Sequence, residues 1–295
     1  MKYLKLFKIH SDYEEYINGE AVLPNVSYCE DERGIYYNPW KPHDYSQDYF
    51  TMRVTVGGDV TWAGNNDNAL YYSKDNGTTW SEPSVNITLS VNEGDKVLWK
   101  GQTSSKRFYG IGTFGGGTDV RYTVEGNVMS LLFRDHFKEQ TSLEYKSYAF
   151  HRLFFLNKNI TSAENLSLPA TTLAELQCYA YMFSGCTSLV TAPELPATTL
   201  ADSCYSGMFQ DCTSLMTAPE LPATTLADSC YSGMFYGCTK LNYIKCLATD
   251  ISASDCLTDW VTNVASSGTF VKASSMTSWP TGTSGIPTGW SVVDA

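Results

Sequence analysis

The chain has 295 residues, a length that predicts two or three compact units rather than one small domain. Hydrophobic residues make up 43% of the chain and charged residues only 17%, a composition that favours strands and turns over long charged helices. The net charge of −11 argues against binding nucleic acid or an anionic membrane, because both need a basic protein face.

The first residues lack the features of an export signal. Residues 1–10 read MKYLKLFKIH, and their lysines interrupt the apolar run of about 7–15 residues that a signal peptide needs. No stretch approaches the roughly 20 apolar residues of a membrane span, so we expect no membrane insertion. With Met1 retained, these observations predict a protein that folds in a reducing cytoplasm.

Residues 1–45 are predicted to attach the chain to an assembly. They are non-repetitive and include the stretch LPNVSYCEDERGIYYNPW. Aromatic residues are favoured at the centres of specific interfaces, and the candidate contact residues here are Tyr28, Tyr36, Tyr37 and Trp40. The alternative is that this segment covers one edge of the neighbouring β module within the same chain.

Residues 46–131 are predicted to form a β-sandwich-like module. Residues 49–56 alternate in polarity, which predicts a strand with Phe50, Met52, Val54 and Val56 on one face. Gly and Asn separate the further runs that are typical of strands. These further predicted strands are 69–73, 85–90, 96–100 and 121–124.

Two motifs in this module have alternative interpretations. Residues 73–80 read SKDNGTTW, the Asp-box pattern of sialidase propellers, but one copy cannot make a propeller. We predict a hairpin in which Asp75 caps the turn, Gly77 has a positive φ and Trp80 packs beneath. Gly110, Gly112 and Gly115 match GxGxxG, but β-like residues follow instead of the helix that a dinucleotide site requires. A hairpin or ligand-free loop is therefore the favoured interpretation.

The sequence contains no recognisable active site. None of the four histidines lies in HExxH or beside a GxSxG elbow. The acidic run Glu30, Asp31 and Glu32 precedes Gly34, which is typical of a solvated turn rather than an acid/base pair. We therefore predict that the protein is not an enzyme and binds neither cofactor nor metal.

From residue 168 the chain repeats nearly identical units. Residues 195–220 read LPATTLADSCYSGMFQDCTSLMTAPE, and residues 221–246 begin with the same fifteen residues, LPATTLADSCYSGMF. Such a period predicts a solenoid in which each unit rests on its neighbours. Prolines keep the LPA segment extended, residues 201–209 are predicted to make a short helical turn, and 215–217 a short strand.

The apolar positions of the repeat predict its buried side. In residues 195–220 these positions are Leu195, Leu200, Cys204, Met208, Phe209, Cys212 and Leu215. Cysteines recur at steps of 26 residues, as in Cys204 and Cys230, and no CxxC pair exists. We predict reduced thiols that act as small buried hydrophobic residues, with a disulfide frame or a zinc site as the less favoured alternatives.

Divergent units flank the good copies, as the open ends of a solenoid require. The predicted fold is mostly β with short helices, an N-terminal β-sandwich-like module being followed by a short leucine-rich-repeat solenoid. The predicted domains are an attachment segment (1–45), the β module (46–131), the solenoid (132–261) and a C-terminal cap (262–295). Trp279 and Trp290 are the expected anchors of the cap.

The order LP, xxL, CYxxMF and CTSL over about residues 142–261 resembles the BspA-like, or Treponema pallidum-type, leucine-rich repeat family. That resemblance implies a right-handed solenoid of strands and short helices. Members are mostly bacterial surface adhesins, and related arrays occur in virion proteins of phages that infect gut Bacteroidetes. The wording of residues 23–40 is also similar to N-terminal segments of structural proteins of those phages.

These features together predict a non-enzymatic structural or adhesive protein. The favoured form is a phage virion component, such as a head fibre, decoration or tail-associated protein, assembled in the host cytoplasm. The alternatives are a bacterial cell-surface adhesin and a carbohydrate-binding module. Expected partners are other virion proteins or further copies of this chain as a homo-oligomer, and a host surface protein or glycan. The residues predicted to face the partner on the solenoid are Thr198, Thr199, Asp202, Thr224, Thr225 and Asp228.

Overall fold

The computed structural model describes residues 28–31, 34–37, 43–65, 68–101 and 110–295. The chain divides into two compact units, Met1–Asp44 and Tyr45–Ala295. In the first unit, strands β1 (Tyr28–Asp31) and β2 (Gly34–Tyr37) pair antiparallel, with Tyr28 opposite Tyr37. Trp40 lies outside the described residues.

The second unit is mostly β, which confirms the predicted class. Its helical content in the described residues is a four-residue helix α1 (Ser130–Phe133) and two 3-10 turns at Tyr45–Gln47 and Arg134–His136. The strands are β3 (Phe50–Val56), β4 (Gly58–Gly64), β5 (Leu70–Ser73), β6 (Asn86–Val91), β7 (Lys96–Gly101), β8 (Gly112–Gly116), β9 (Arg121–Asn127), β10 (Ile160–Ser167), β11 (Tyr243–Cys246), β12 (Thr269–Lys272) and β13 (Ser291–Asp294).

Two sheets of this unit share one aromatic core. The first has the strand order β10-β9-β3-β7-β5, and the second has the order β6-β4-β8. Phe114 of β8 lies at their junction, with its ring centroid 5.4 Å from that of Phe50 in β3 and 5.2 Å from that of Trp99 in β7. Trp62 of β4 packs on the same ring at 4.6 Å. The alternating apolar residues of both sheets therefore bury one another.

The predicted strands of this region are all present, with small differences in their bounds. Strands β4, β8 and β10 were not predicted. The prediction that Val56 lies on the buried face is wrong, because 45% of its surface is exposed. The pairing of β3 with β9 shifts register between Val54 and Val56, which turns Val56 out of the core.

The predicted short helix over residues 201–209 is wrong, because these residues form consecutive turns. Every fourth residue has a positive φ, as at Ser203 (55°), Gly207 (59°) and Asp211 (58°). Backbone N–H groups alternate between two kinds of partner: Met208 donates to the Tyr205 carbonyl at 3.1 Å, whereas Tyr205 donates to Cys230, 25 residues further along, at 3.1 Å. The turns are thus held both internally and by the next repeat.

This pattern recurs at each repeat, and we call the stretches that carry it the turn segments. Each of the first four turn segments donates through alternate N–H groups to the next rung, so that the repeats stack as successive rungs. The turn segments are residues 148–156, 177–185, 203–211, 229–237 and 255–263.

Two columns of stacked rings fill the inside of the stack. One column joins Phe154, Phe183, Phe209, Phe235 and Trp260, with centroids 5.1 to 6.1 Å apart. The other joins Phe150, Tyr179, Tyr205, Tyr231 and Trp260, with centroids 5.6 to 6.4 Å apart. Phe209 and Phe235 are fully buried, as the repeat alignment requires.

The cysteines also follow the stack and are buried free thiols. Cys212 donates its Sγ–H to the Phe183 carbonyl at 3.1 Å, and Cys238 donates to the Phe209 carbonyl at 3.0 Å. Equivalent cysteines of successive rungs therefore each donate a hydrogen bond to the preceding rung. The buried free cysteines are Cys178, Cys186, Cys204, Cys212, Cys230, Cys238, Cys246 and Cys256.

Parallel pairing runs along the other side of the rungs. The predicted strand 215–217 reduces to a single bridging residue, Thr217, which pairs with Tyr243. Beyond it, β11, β12 and β13 form a parallel sheet. The C-terminal residues therefore extend the stack, and both expected anchors pack there: Trp290 donates to the Ala265 carbonyl at 2.7 Å, and Trp279 stacks on Trp260 at 6.2 Å.

Candidate interaction surface

Exposed threonine pairs occupy equivalent positions on successive rungs. Each pair follows an LPA segment, whose proline prevents helix formation and leaves the chain extended. The Thr198 N–H donates to the Thr171 carbonyl at 3.0 Å, and the Thr249 N–H donates to the Thr224 carbonyl at 2.8 Å. We call this surface the threonine ladder, and its exposed members are Thr171, Thr172, Thr198, Thr199, Thr224, Thr225 and Thr249.

Asp202 and Asp228 are also exposed, each just before a turn segment. Their carbonyls accept equivalent bonds from the preceding rung, from Gln177 at 3.2 Å and from Ser203 at 2.8 Å. The Asp228 carboxylate additionally accepts the Ser254 N–H at 2.8 Å and so helps to fix the next rung. The structure thus places the predicted threonines and aspartates on the outside of the same stack, at repeating positions.

The predicted aromatic contact residues belong to the other unit. Tyr28 lies on β1, and Tyr36 and Tyr37 lie on β2. The hairpin sets Tyr28 opposite Tyr37 and Cys29 opposite Tyr36 in backbone register. Their role in attachment stays a prediction.

A proline-lined groove between two rungs was not predicted from the sequence. It encloses about 360 Å³ and is lined by Ala192, Pro193, Glu194, Leu195, Pro196, Pro219, Glu220 and Pro222. Lys245 lies 2.9 Å from the Glu220 carboxylate at its edge. The sequence signal for this groove is the repeated segment APELP, which places a glutamate between two prolines on both rungs.

The SKDNGTTW segment forms the predicted hairpin. The Asp75 carboxylate accepts the Thr79 hydroxyl at 2.6 Å, the Thr79 N–H at 2.9 Å and the Ser73 hydroxyl at 2.7 Å. These bonds lower the pKa of Asp75 to about 2. Gly77 has a φ of 85°, as the turn requires. The carboxylate therefore acts as a turn cap.

The GxGxxG match lies in a strand and packs against other backbone segments. Gly112 and Gly115 belong to β8, and the next element is strand β9 rather than a helix. The favoured loop interpretation is thus wrong for β8. A Cβ atom at Gly112 would lie 2.4 Å from the Ala63 carbonyl oxygen, and one at Gly110 would lie 2.6 Å from that of His151. These glycines permit close packing and do not form a phosphate-binding loop.

A polar cluster around Lys100 was also missed by sequence reasoning. Lys100 is nearly buried, and its Nζ lies 2.8 Å from the Asp135 carboxylate and 4.0 Å from the centroid of the Trp80 ring. Tyr49 donates its hydroxyl to Asp135 at 2.6 Å, and burial together with this bond raises the pKa of Tyr49 to about 12. Because the charges pair, the cluster joins β7 to the Arg134–His136 turn.

Neither metal binding nor membrane insertion has a structural candidate in the part of the chain that is described. No group of three or more His, Cys, Asp or Glu side chains there could hold a metal ion. No helix among the described residues is long and apolar enough to cross a bilayer.

Comparison with protein-family models, with curated proteins and with solved structures gave no significant match to this chain. Function is therefore inferred from its own residues.

Proposed function

We propose that this chain is a non-enzymatic structural or adhesive protein whose repeats form a leucine-rich-repeat solenoid that is displayed for contact with a host surface. The solenoid is joined to a β-sandwich-like module. The observation that supports this proposal is the recurrence of the same exposed groups, Thr198–Thr199 and Thr224–Thr225, at equivalent positions of stacked rungs.

The chemistry of the threonine ladder suits many weak contacts. A threonine side chain is stiff because it is β-branched, so it loses little freedom on binding. The backbone beneath is fixed by hydrogen bonds between rungs, as between Thr198 and Thr171. Each hydroxyl contributes little alone, but simultaneous engagement of several copies can increase the overall affinity by about 10²–10⁴.

The setting that we propose is a phage virion, in a head fibre, a decoration protein or a tail-associated protein. It is supported by the wording of the repeats and of residues 23–40. In this proposal residues 1–45 attach the chain to other virion proteins or to further copies, and the solenoid faces a host protein or glycan. A bacterial cell-surface adhesin is the main alternative.

A carbohydrate-binding module is a weaker alternative. Trp80 is partly exposed and belongs to an aromatic cluster with Tyr49. However, sugar stacking needs an open ring face, and the Lys100 ammonium already occupies one face of Trp80 at 4.0 Å.

Mass spectrometry of purified particles separates the first two settings. We expect peptides of this chain to co-purify with virions through a density gradient and to persist after washing at high salt. Enrichment in outer-membrane fractions without particles would instead support the adhesin. Deletion of residues 1–45 should abolish incorporation while the remaining chain stays folded, whereas an insoluble product would contradict an attachment role for this segment.

The contact role of the threonine ladder can be tested on beads coated with the protein at several densities. The change is Thr172→Val, Thr199→Val and Thr225→Val together, which keeps side-chain shape and removes the hydroxyls. The matched control makes the same Thr→Val change at Thr55, Thr88 and Thr118, which are exposed on the β module. We expect attachment of host cells to fall at least tenfold with the ladder variant at high density. Equal attachment by ladder and control variants would contradict the proposed contact face.

A further inference from the structure

Strand β13 is exposed on both faces. All four of its residues, Ser291 to Asp294, are exposed, including Val292 and Val293 at 48% each. A strand at the edge of a packed sheet normally buries alternate residues against the core. Here both valines are about half exposed, and only one edge of the strand is paired, with β12.

Two other sheet edges among the described residues are covered by the chain itself. At β5, Leu70 exchanges two backbone hydrogen bonds with Ser84, both at 3.0 Å. At β8, the Phe114 N–H donates to the Leu153 carbonyl at 2.8 Å. No described residue pairs with the outer edge of β13. An open edge that carries apolar side chains is a template for another strand.

We propose that β13 pairs antiparallel with β13 of a second copy of this chain, about a two-fold axis. The Ser291 N–H donates to Gly268 of the same chain at 2.9 Å, and the Ala295 N–H donates to Lys272 at 2.8 Å. Because backbone groups alternate along a strand, Val292 and Asp294 direct their N–H and C=O groups to the open edge.

This alternation selects one register. Val292 lies opposite the partner's Asp294, and the two residues exchange N–H···O=C bonds. By symmetry Asp294 lies opposite the partner's Val292, so all outward backbone groups of both strands are used. Val293 then lies on the axis opposite the partner's Val293, as a non-hydrogen-bonded pair whose Cα atoms are about 4.5 Å apart. A two-fold contact closes on itself and gives a dimer rather than a fibre.

The charges near β13 permit this pairing in spite of the acidic chain. Asp294 forms an ion pair with Lys272 of the neighbouring strand β12, so each carboxylate enters the contact with its own cation. The Val293 side chains of the two copies cover each other and lose water contact. The proposed dimer does not depend on the proposed function. If both hold, each dimer carries two threonine ladders.

Sedimentation velocity of the full chain tests the dimer at about 1 to 100 μM, the range in which contacts of this kind are measurable. We expect a dimer for the unmodified chain. The double variant Val292→Lys, Val293→Lys should be monomeric with an unchanged far-ultraviolet circular dichroism spectrum. The control Val190→Lys, Met216→Lys changes equally exposed apolar residues elsewhere and should stay dimeric. An unmodified chain that is monomeric throughout, or a β13 variant that remains dimeric, would overturn the proposal.

Cysteine crosslinking tests the register even if the lysine variant fails to fold. Under mild oxidation, Val293→Cys should form an intermolecular disulfide, because non-hydrogen-bonded partners lie within the Cα range for a disulfide. Val292→Cys should crosslink at least tenfold less, since it faces the partner's Asp294. Non-reducing gels report both, with the unmodified chain as background. Equal crosslinking at the two positions, or none at Val293→Cys, would refute the antiparallel register.

Discussion

Truncation of Phe209 to alanine removes the middle ring of a stacked column. Phe209 is fully buried, its centroid is 5.6 Å from that of Phe183 and 5.8 Å from that of Phe235, and the rings are within 7° of parallel. A buried Phe→Ala change costs about 3–5 kcal/mol, and each aromatic pair contributes about 0.5–1.5 kcal/mol beyond its area. Because two pairs are lost here, we expect the upper part of the range, about 4–5 kcal/mol.

Urea unfolding followed by circular dichroism measures this change, with the slopes compared to confirm a similar exposed surface. Phe155→Ala is the control, because that ring is partly exposed and should cost about 1 kcal/mol or less. In double variants, Phe183 and Phe209 should couple by about 0.5–1.5 kcal/mol, whereas Phe154 and Phe235, which are not neighbours in the column, should be additive within about 0.5 kcal/mol. A loss below about 2 kcal/mol for Phe209→Ala, or equal coupling for both pairs, would refute the stacked-column explanation.

Four further results are expected. Asn157→Leu should destabilise the chain by about 2–4 kcal/mol in urea unfolding, because the buried Asn157 amide donates to the Phe114 carbonyl at 2.8 Å and to the Tyr122 hydroxyl at 2.7 Å. The control Asn165→Leu changes an exposed residue and should cost under about 0.5 kcal/mol. Equal losses of stability for the two variants would contradict the role of Asn157. Thiol counting in denaturant without reductant should find all nine cysteines free, and seven or fewer would show a disulfide. Burial raises the pKa of Cys178 to about 12 from an ordinary 9, so the stability from this neutral thiol is complete below pH 9 and declines as pH rises towards 12, which a urea midpoint measured against pH should follow. Burial and the charge of Arg152 lower the pKa of His151 to about 4, so the midpoint of its NMR titration should lie near 4. The stability that comes from the neutral imidazole should be lost as pH falls below about 6.5. A titration midpoint near 6.5 would contradict the burial of His151.

The sequence predicts the buried side of the repeats well but not their local backbone. The 26-residue recurrence of Cys204, Met208 and Phe209 identifies core positions, because equivalent positions in a stack share one environment. The predicted helical turn fails at Ser203 and Asp211, which have left-handed φ values although they are not glycines. Their conformation is stabilised by hydrogen bonds to the next rung, a tertiary contact that local propensity does not contain.

In the β module too, some elements could be predicted from the sequence and others could not. Strand β3 was predicted from its alternation, whereas β4 and β8 were missed because Gly58, Gly64 and Gly112 weaken the strand pattern. The structure uses these glycines where backbones approach closely, as at Gly64, where a Cβ atom would lie 2.4 Å from the Asn68 carbonyl oxygen. The threonine positions were identified by repetition, but the open edge of β13 and the proline-lined groove depend on which segments remain uncovered after folding.

The alternating hydrogen bonds between turn segments have a consequence for how such a gene evolves. Residues 195–220 receive bonds from the rung before and donate the same bonds to the rung after, at matching positions. An in-frame duplication of these 26 codons would therefore insert a rung whose two sides already fit, and it would move the chain ends apart by about 4.8 Å. Unequal recombination between the nearly identical repeats can thus lengthen or shorten the array by whole units, without any new interface having to be selected.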